Sequence, residues 1–378
     1  NPNWTPEKNE ATFGKCANKN WHGHNFELFV TIKGKPDPDT GFIFDAKKLS
    51  VIIRERVVDK LDHRNLNLDV DFMKDKLCSI ENLVVGIWKE LEPALPEQVK
   101  LHAISLQDSR AVEQILATKS FDAVIHLAAK KRVGESIERP DYYWQENVVG
   151  LQNLLLAIKQ HDVKNFVFSS SASVYGQPNL PPGTLITEQT PCLPINPYGA
   201  TKLEGEFLSK AMADSDGLSV AALRYFNAAG AGRPGLGDQY IFNLVPIVFD
   251  ALERGSQPTV FGNDYATPDG SCIRDYVHVQ DLAEAHIAAM DFVEKSDPGF
   301  TAINIGTGSG TSVYEVLEMV QDVTGISIEP IVGQRREGDP PALVADVSLA
   351  KELLGWQSSR DLREIVSSAW DAWQVGHK

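Results

Sequence analysis

The sequence is short of the features that would take it out of the class of ordinary globular chains. Its 378 residues hold four cysteines, Cys16, Cys78, Cys192 and Cys272, too few and too scattered for a disulfide framework. That points to a reducing, cytoplasmic setting. No run of about 18 apolar residues occurs, which argues against a helical membrane span. The amino end, Asn1-Pro2-Asn3-Trp4, has neither a signal-peptide pattern nor an initiator Met, and reads as the start of a fragment or a processed chain. Basic residues are outnumbered 36 to 51, giving a net charge of -15. Neither nucleic acid nor an anionic membrane is therefore expected as a partner, although a local pocket for a small anion stays open. Internal repeats and low-complexity tracts are absent. One further absence is local: no glycine occurs between Gly86 and Gly134.

What is present divides into two patterns, residues 1–108 and 109–378. Upstream, Phe26–Ile32 alternates like a strand and Asp37-Pro38-Asp39-Thr40-Gly41 reads as a turn. Helices are expected from about Ala46 to Leu61 and from about Ser79 to Leu91, and Val99–Leu106 alternates again. This is a small α+β pattern. Downstream, short apolar runs at Phe121–Ala129, Asn165–Ser170 and Leu218–Arg224 are separated by helical stretches. Such alternation predicts an α/β fold with a parallel sheet covered on both faces. No linker rich in Pro, Gly or Ser marks the change.

Tyr198-Gly199-Ala200-Thr201-Lys202 is the sharpest chemical signal. Positions i and i+4 share a helix face, so the phenol and the ammonium can meet. A cation beside a phenol lowers its pKa and makes it a usable base. The bland alternative is an ordinary surface helix, and the spacing alone favours it. Ser169-Ser170-Ser171 changes the balance, because it sits at the carboxyl end of a predicted strand, where open α/β sheets place their ligands.

A serine followed by this Tyr and Lys resembles the short-chain dehydrogenase/reductase superfamily. Val124–Ser136, Leu223-Arg224-Tyr225-Phe226-Asn227, Phe261–Tyr265, Arg274–Val279 and Arg335–Asp339 narrow the resemblance to its UDP-glucose 4-epimerase family, over about residues 110–375. The resemblance implies a Rossmann-like sheet with a C-terminal substrate-binding region, and NAD-mediated interconversion of UDP-glucose and UDP-galactose at sugar C4. Tyr198 would take the proton of the 4-hydroxyl, Lys202 would lower the Tyr198 pKa and Ser171 would bridge to the sugar. Leu127, Ala128, Ala129, Lys131, Asn147 and Phe226 would join these three around the NAD. Asn227, Asn243, Leu244, Arg274, Tyr276, Arg336, Asp339 and Leu343 would hold the UDP-hexose, the two arginines gripping the pyrophosphate. Leu343 stands where some members carry Tyr, implying room for an N-acetylated sugar. The family also suggests a homodimer.

The family begins with a strand, a Gly-x-x-Gly-x-x-Gly turn and a helix whose amides cradle the NAD pyrophosphate. The nearest counterpart here, Gly306-Thr307-Gly308-Ser309-Gly310, comes too late in the chain. The Rossmann-like sheet is thus expected to be incomplete, with an exposed edge or apolar face beside Val124–Leu127.

In the first segment His22 and His24 share one strand face, a candidate half of a zinc site, although surface histidines are commoner. With Cys16, Thr40–Asp45, Leu61–Asn67 and Glu81-Asn82, residues 1–108 resemble the 6-pyruvoyl/6-carboxy-tetrahydropterin synthase family, which has the T-fold. That implies Zn²⁺ on His22 and His24, with Cys16, Asp62 and His63 as catalytic residues and a pterin as ligand. The family's third zinc histidine comes from a strand ahead of this chain's first residue. Asp108 aligns with acidic positions of both families and is assigned to neither. Three readings follow: a sugar-nucleotide epimerase, a zinc-dependent pterin synthase, or a chimeric or truncated product that performs neither reaction.

Overall fold

A computed structural model describes residues 46–61, 70–74, 80–91, 102–181, 183–233, 236–238, 241–336 and 339–376. The chain forms two compact units, Asn1–Ile104 and Ser105–Lys378.

In the first unit, Ala46–Ile53 is α-helical and runs through a wider π-helical turn, Arg54–Val58, into Asp59–Leu61. A second helix spans Ile80–Leu91. Val57, Val70, Met73, Leu83, Ile87 and Leu91 form their common core. Leu83, Ile87 and Leu91 are spaced by four, the interval that lines one helix face. The strand expected at Phe26–Ile32, together with Cys16, His22, His24, Asp62 and His63, lies outside the described residues. The strand expected over Val99–Leu106 is not formed from His102 onward. Leu106 instead packs among helices, its carbonyl accepting from Asn153 Nδ2 at 2.9 Å.

The strands of the second unit are β1 (Ala123–His126), β2 (Asn165–Ser169), β3 (Ser219–Tyr225), β4 (Asn227–Ala229), β5 (Thr259–Phe261) and β6 (Ile273–Arg274). They continue with β7 (Tyr276–His278), β8 (Gly299–Ile305), β9 (Thr311–Ser312), β10 (Ile331–Gly333) and β11 (Ala342–Leu343). A parallel sheet of order β1-β2-β3-β8 is the frame. Successive strand residues face opposite ways. Phe166, Phe168, Val220 and Ala222 pack under the Gly150–Gln160 helix, whereas Val167, Ala221 and Leu223 pack under Val279–Lys295. The unit is thus α/β with a Rossmann-like sheet covered on both faces.

The sheet ends, among the described residues, at β1. There Ile125 is 37 % and Leu127 63 % exposed. Two short pairings, β4 with β7 and β5 with β10, contribute Ala229, Tyr276 and Val260 to a second core around Phe249, Val316, Ile365 and Trp373, and a trio β11-β6-β9 completes the strands. Among the described residues no helix is long and apolar enough to cross a membrane.

Candidate active site

The helix Pro197–Asp216 carries the centre of the site. Asn196 starts it by accepting from Gly199 N at 2.8 Å, and Pro197 supplies a preset φ in the first turn. Gly217, at φ 68°, ends it in the left-handed region. Two glycines bring the helix close to β2. A Cβ on Gly199 would stand 2.6 Å from Ser173 O, and one on Gly205 would stand 2.5 Å from the Phe168 ring. Larger residues would push the helix off the strand end.

That approach buries Tyr198 and Lys202 against the serines after β2. The Ser171 hydroxyl faces the Tyr198 phenol. Lys202 Nζ donates to Ser169 O at 2.7 Å and lies 6.0 Å from the centre of the Tyr198 ring. Burial pushes Lys202 down to about 8, partly opposed by the Glu206 charge. The Tyr198 phenol differs from the sequence expectation: burial raises its pKa, and the Ser171 bond alone pulls it back. The reason is burial, which disfavours the charged phenolate and outweighs the Ser171 hydroxyl.

Asn147 is also buried here. It bonds Lys130 N at 2.7 Å, Lys130 O at 2.9 Å and Thr201 Oγ1 at 3.0 Å, tying the loop after β1 to the Tyr198 helix. Leu127, Ala128, Ala129 and Lys131 sit on that loop. Phe226 is buried just past β3, its amide bonded to Ile305 O at 3.0 Å. The residues expected on the cofactor side are therefore gathered around the carboxyl ends of the parallel strands, where such sheets bind ligands.

The expected sugar-nucleotide residues form a second group. Leu343 on β11 is in register with Arg274 on β6. Arg274 donates to Pro340 O at 2.9 Å and pairs with Asp339 at 3.1 Å. Arg336 stacks on Phe261 at 4.0 Å, whereas its neighbour Arg335 is paired with Asp264. Asn243 Nδ2 bonds Asp238 at 2.7 Å, just ahead of Leu244. Asn227 opens β4, and Tyr276, buried, lies opposite it on β7. A core of Val174, Tyr175, Ile186, Phe226 and Ala345, with Leu343 packed against it, lies between the turn after Ser171 and this group.

The loop Gly306–Gly310 is not a phosphate cradle. Its amides at Thr307 and Gly308 donate to the buried Asp275 carboxylate at 2.7 and 3.0 Å, and Ala345 N adds a third bond at 3.2 Å. A Cβ on Gly306 would meet that carboxylate at 2.5 Å. Asp108 caps the Ser109–Leu116 helix by accepting from Ala111 N at 3.0 Å. No group of three or more metal-ligating side chains that could hold a metal occurs among the described residues.

Sequence reasoning missed the polar residues beneath the site, chiefly Glu206, Arg224 and His286. His286 Nδ1 donates to Leu282 O at 2.8 Å, so its Nε2 accepts from Ser169 Oγ at 2.7 Å. Extending the four-residue spacing from Lys202 would have found Glu206.

A family model described as GDP-mannose 4,6 dehydratase matches residues 73–369. A second, 6-pyruvoyl tetrahydropterin synthase, matches residues 5–114. The chain is 43 % identical over 281 residues to the UDP-glucose 4-epimerase of Corynebacterium glutamicum, covering 73 % of this chain and 83 % of that protein. Among solved structures, UDP-glucose 4-epimerase from Brucella ovis in complex with NAD is 40 % identical, with a TM-score of 0.69 over 74 % of this chain and 86 % of that one. The Bifidobacterium longum enzyme in complex with NAD⁺ and UDP is 36 % identical, with a TM-score of 0.67 over 76 % and 85 %.

Proposed function

The chain belongs to the GDP-mannose 4,6-dehydratase/UDP-glucose 4-epimerase family, and from that premise we propose that residues 109–378 bind a UDP-hexose and handle the proton of its 4-hydroxyl. One observation carries the reading: Ser171, Tyr198 and Lys202 meet at the carboxyl end of a parallel sheet. Tyr198 is a phenol at neutral pH, because burial holds its proton on. Ser171 is the route between it and a sugar oxygen. Lys202, 6.0 Å from the centre of the Tyr198 ring, is the cation that would favour the phenolate. Arg274 and Arg336 supply positive charge for the diphosphate, and Asp339 holds Arg274 in place.

NAD would accept hydride from C4. The described residues suit its nicotinamide-ribose end through Tyr198, Lys202 and Ser171. They do not suit its pyrophosphate: no glycine precedes Gly134 until Gly86, and the amides of the late glycine loop are taken by Asp275. We therefore infer that UDP binding outlasts epimerisation in this chain. Calorimetry should detect UDP at millimolar concentration, while denatured protein releases no NAD and UDP-galactose is not converted. No UDP binding would refute the reading; retained NAD with turnover would refute the inferred loss. Leu343 leaves room for an N-acetyl group, so UDP-GlcNAc should compete for the site as well as UDP-glucose does. A clear preference for the smaller sugar would rule that out.

The match at residues 5–114 supports a second reading, a zinc-dependent pterin synthase with His22 and His24 as ligands and Cys16, Asp62 and His63 as catalytic residues. Stoichiometric zinc and Cys16-dependent turnover of a pterin are its test. If both assays fail, the third reading stands: a chimeric product with neither activity. A homodimer is the assembly proposed for the epimerase-like region, and sedimentation would check it.

A further inference from the structure

Three consecutive residues at the end of β2, Ser169 to Ser171, meet three residues spaced by four on one helix. The Ser171 hydroxyl faces Tyr198, Ser169 O accepts from Lys202, and the Ser170 hydroxyl donates to Glu206. Tyr198, Lys202 and Glu206 therefore form one ladder along the Pro197–Asp216 helix, each rung set against the same tripeptide and the lower two bonded to it. The third rung has no part in the proposed reaction. Glu206 is 3 % exposed and Arg224, on β3, is 6 % exposed.

Their contact is bidentate. Arg224 Nε donates to Oε1 at 2.9 Å and its terminal nitrogen to Oε2 at 2.6 Å. The other terminal nitrogen donates to Tyr175 Oη at 3.0 Å and to Glu188 O at 3.3 Å. Tyr175 passes its proton bond to Asn304 Oδ1 at 2.7 Å. This chain of bonds crosses from the helix through β3 to β8. It fixes Glu206 far more firmly than a surface pair would be fixed.

We propose that Glu206 is a positioning residue, the buried counter-charge one turn from Lys202 that keeps its ammonium charged and aligned on Ser169, and so holds Tyr198 against Ser171. The inference rests on reading Tyr198 and Lys202 as the proton-handling pair.

The surroundings leave Glu206 this role. Around Lys202 and Ser169 stand His126 from β1, His286 from the Val279–Lys295 helix, Tyr225 from β3 and Tyr198 from the Pro197–Asp216 helix that carries Lys202. His126 is pushed down to about 3 and His286 is lowered, both chiefly by burial, so both are neutral at neutral pH. Burial raises both phenols, which stay protonated. Arg224 is the remaining cation, and Glu206 holds it. Glu206 is the charge that acts upward on Lys202 against burial. An ion pair serving the fold alone would leave Lys202 indifferent to its loss.

The test is an NMR titration of the full chain carrying lysine labelled with ¹³C at Cε, with K202R identifying the Lys202 signal. The wild-type midpoint is expected near 8. E206Q should move it down by about one unit or more, the effect of one nearby opposite charge. E206D should restore most of the shift. Should E206Q fail to fold by circular dichroism, E206Q/R224M removes the orphaned arginine charge, and the same downward shift is expected. A folded variant of either kind with an unchanged Lys202 midpoint overturns the proposal. Calorimetry with UDP on the wild type separates the two claims. Absent UDP binding with the shift present sinks only the functional reading, whereas an absent shift sinks this one whether or not UDP binds.

Discussion

Strands β1 and β3 are the same kind of segment in opposite circumstances. Both are short, apolar and paired in parallel. In β3 every residue from Ser219 to Arg224 is buried, and the strand lies between β2 and β8. In β1 only His126 is buried, and β2 is its one strand partner among the described residues. An apolar run of the β1 kind is suited to two covered faces and two neighbours. The difference shows where the polar work of the site is anchored. Arg224 can hold Glu206 because β3 is enclosed, while β1 contributes a loop and one buried imidazole.

The contrast breaks most sharply at the enclosed strand. Arg224→Ala leaves Glu206 buried without its partner and should cost about 3–5 kcal/mol in urea unfolding. A loss below 1 kcal/mol would mean water reaches β3. Leu223→Ala, in the same strand, should cost about 2–5 kcal/mol, against less than about 1 kcal/mol for Ile125→Ala on β1. Equal losses would show β1 to be covered in solution and would end the comparison.

His126 sharpens it through pH. Its folded pKa is about 3 against an ordinary 6.5, chiefly because it is buried. The unfolded chain binds the proton first, so stability is full above about 6.5 and falls as the pH drops toward 3. The slope should be about 1.4 kcal/mol per pH unit in that window. His126→Phe, which keeps the stacking on Phe168, should flatten it; an unchanged slope would place the sensitivity elsewhere. The smallest effect is expected at the exposed pair Lys210–Asp214, where Lys210→Ala should change stability by less than about 0.5 kcal/mol. A larger loss there would mean the surface and the enclosed strand are not so different.

Much of the frame was legible because its signal is local. The runs at Asn165–Ser170 and Leu218–Arg224 became β2 and β3 within a residue at each end. The helix expected over Ala46–Leu61 is present, though its middle widens into a π turn. Val99–Leu106 misled, because alternation says which residues are apolar and not whether a strand partner exists. Leu106 is drawn into helices instead. In the site, Tyr198 and Lys202 were readable from their spacing. The direction of the Tyr198 shift was not, since it depends on how deeply the phenol is buried. Arg224 lay within a quoted motif but carried no visible role, because its partner is brought to it only by β3 packing under the helix. The same holds for Asp275, whose place inside the loop Gly306–Gly310 no spacing rule foretells.

That loop has a wider consequence. Two of its amides and Ala345 N surround a carboxylate supplied by the same chain, so the anion such a nest would recruit is already covalently present. A lock with its key cast into the barrel opens for no visitor. Glycine spacing in a sequence therefore advertises a receptor for phosphate only when its donors are vacant, and here the resident tenant is Asp275.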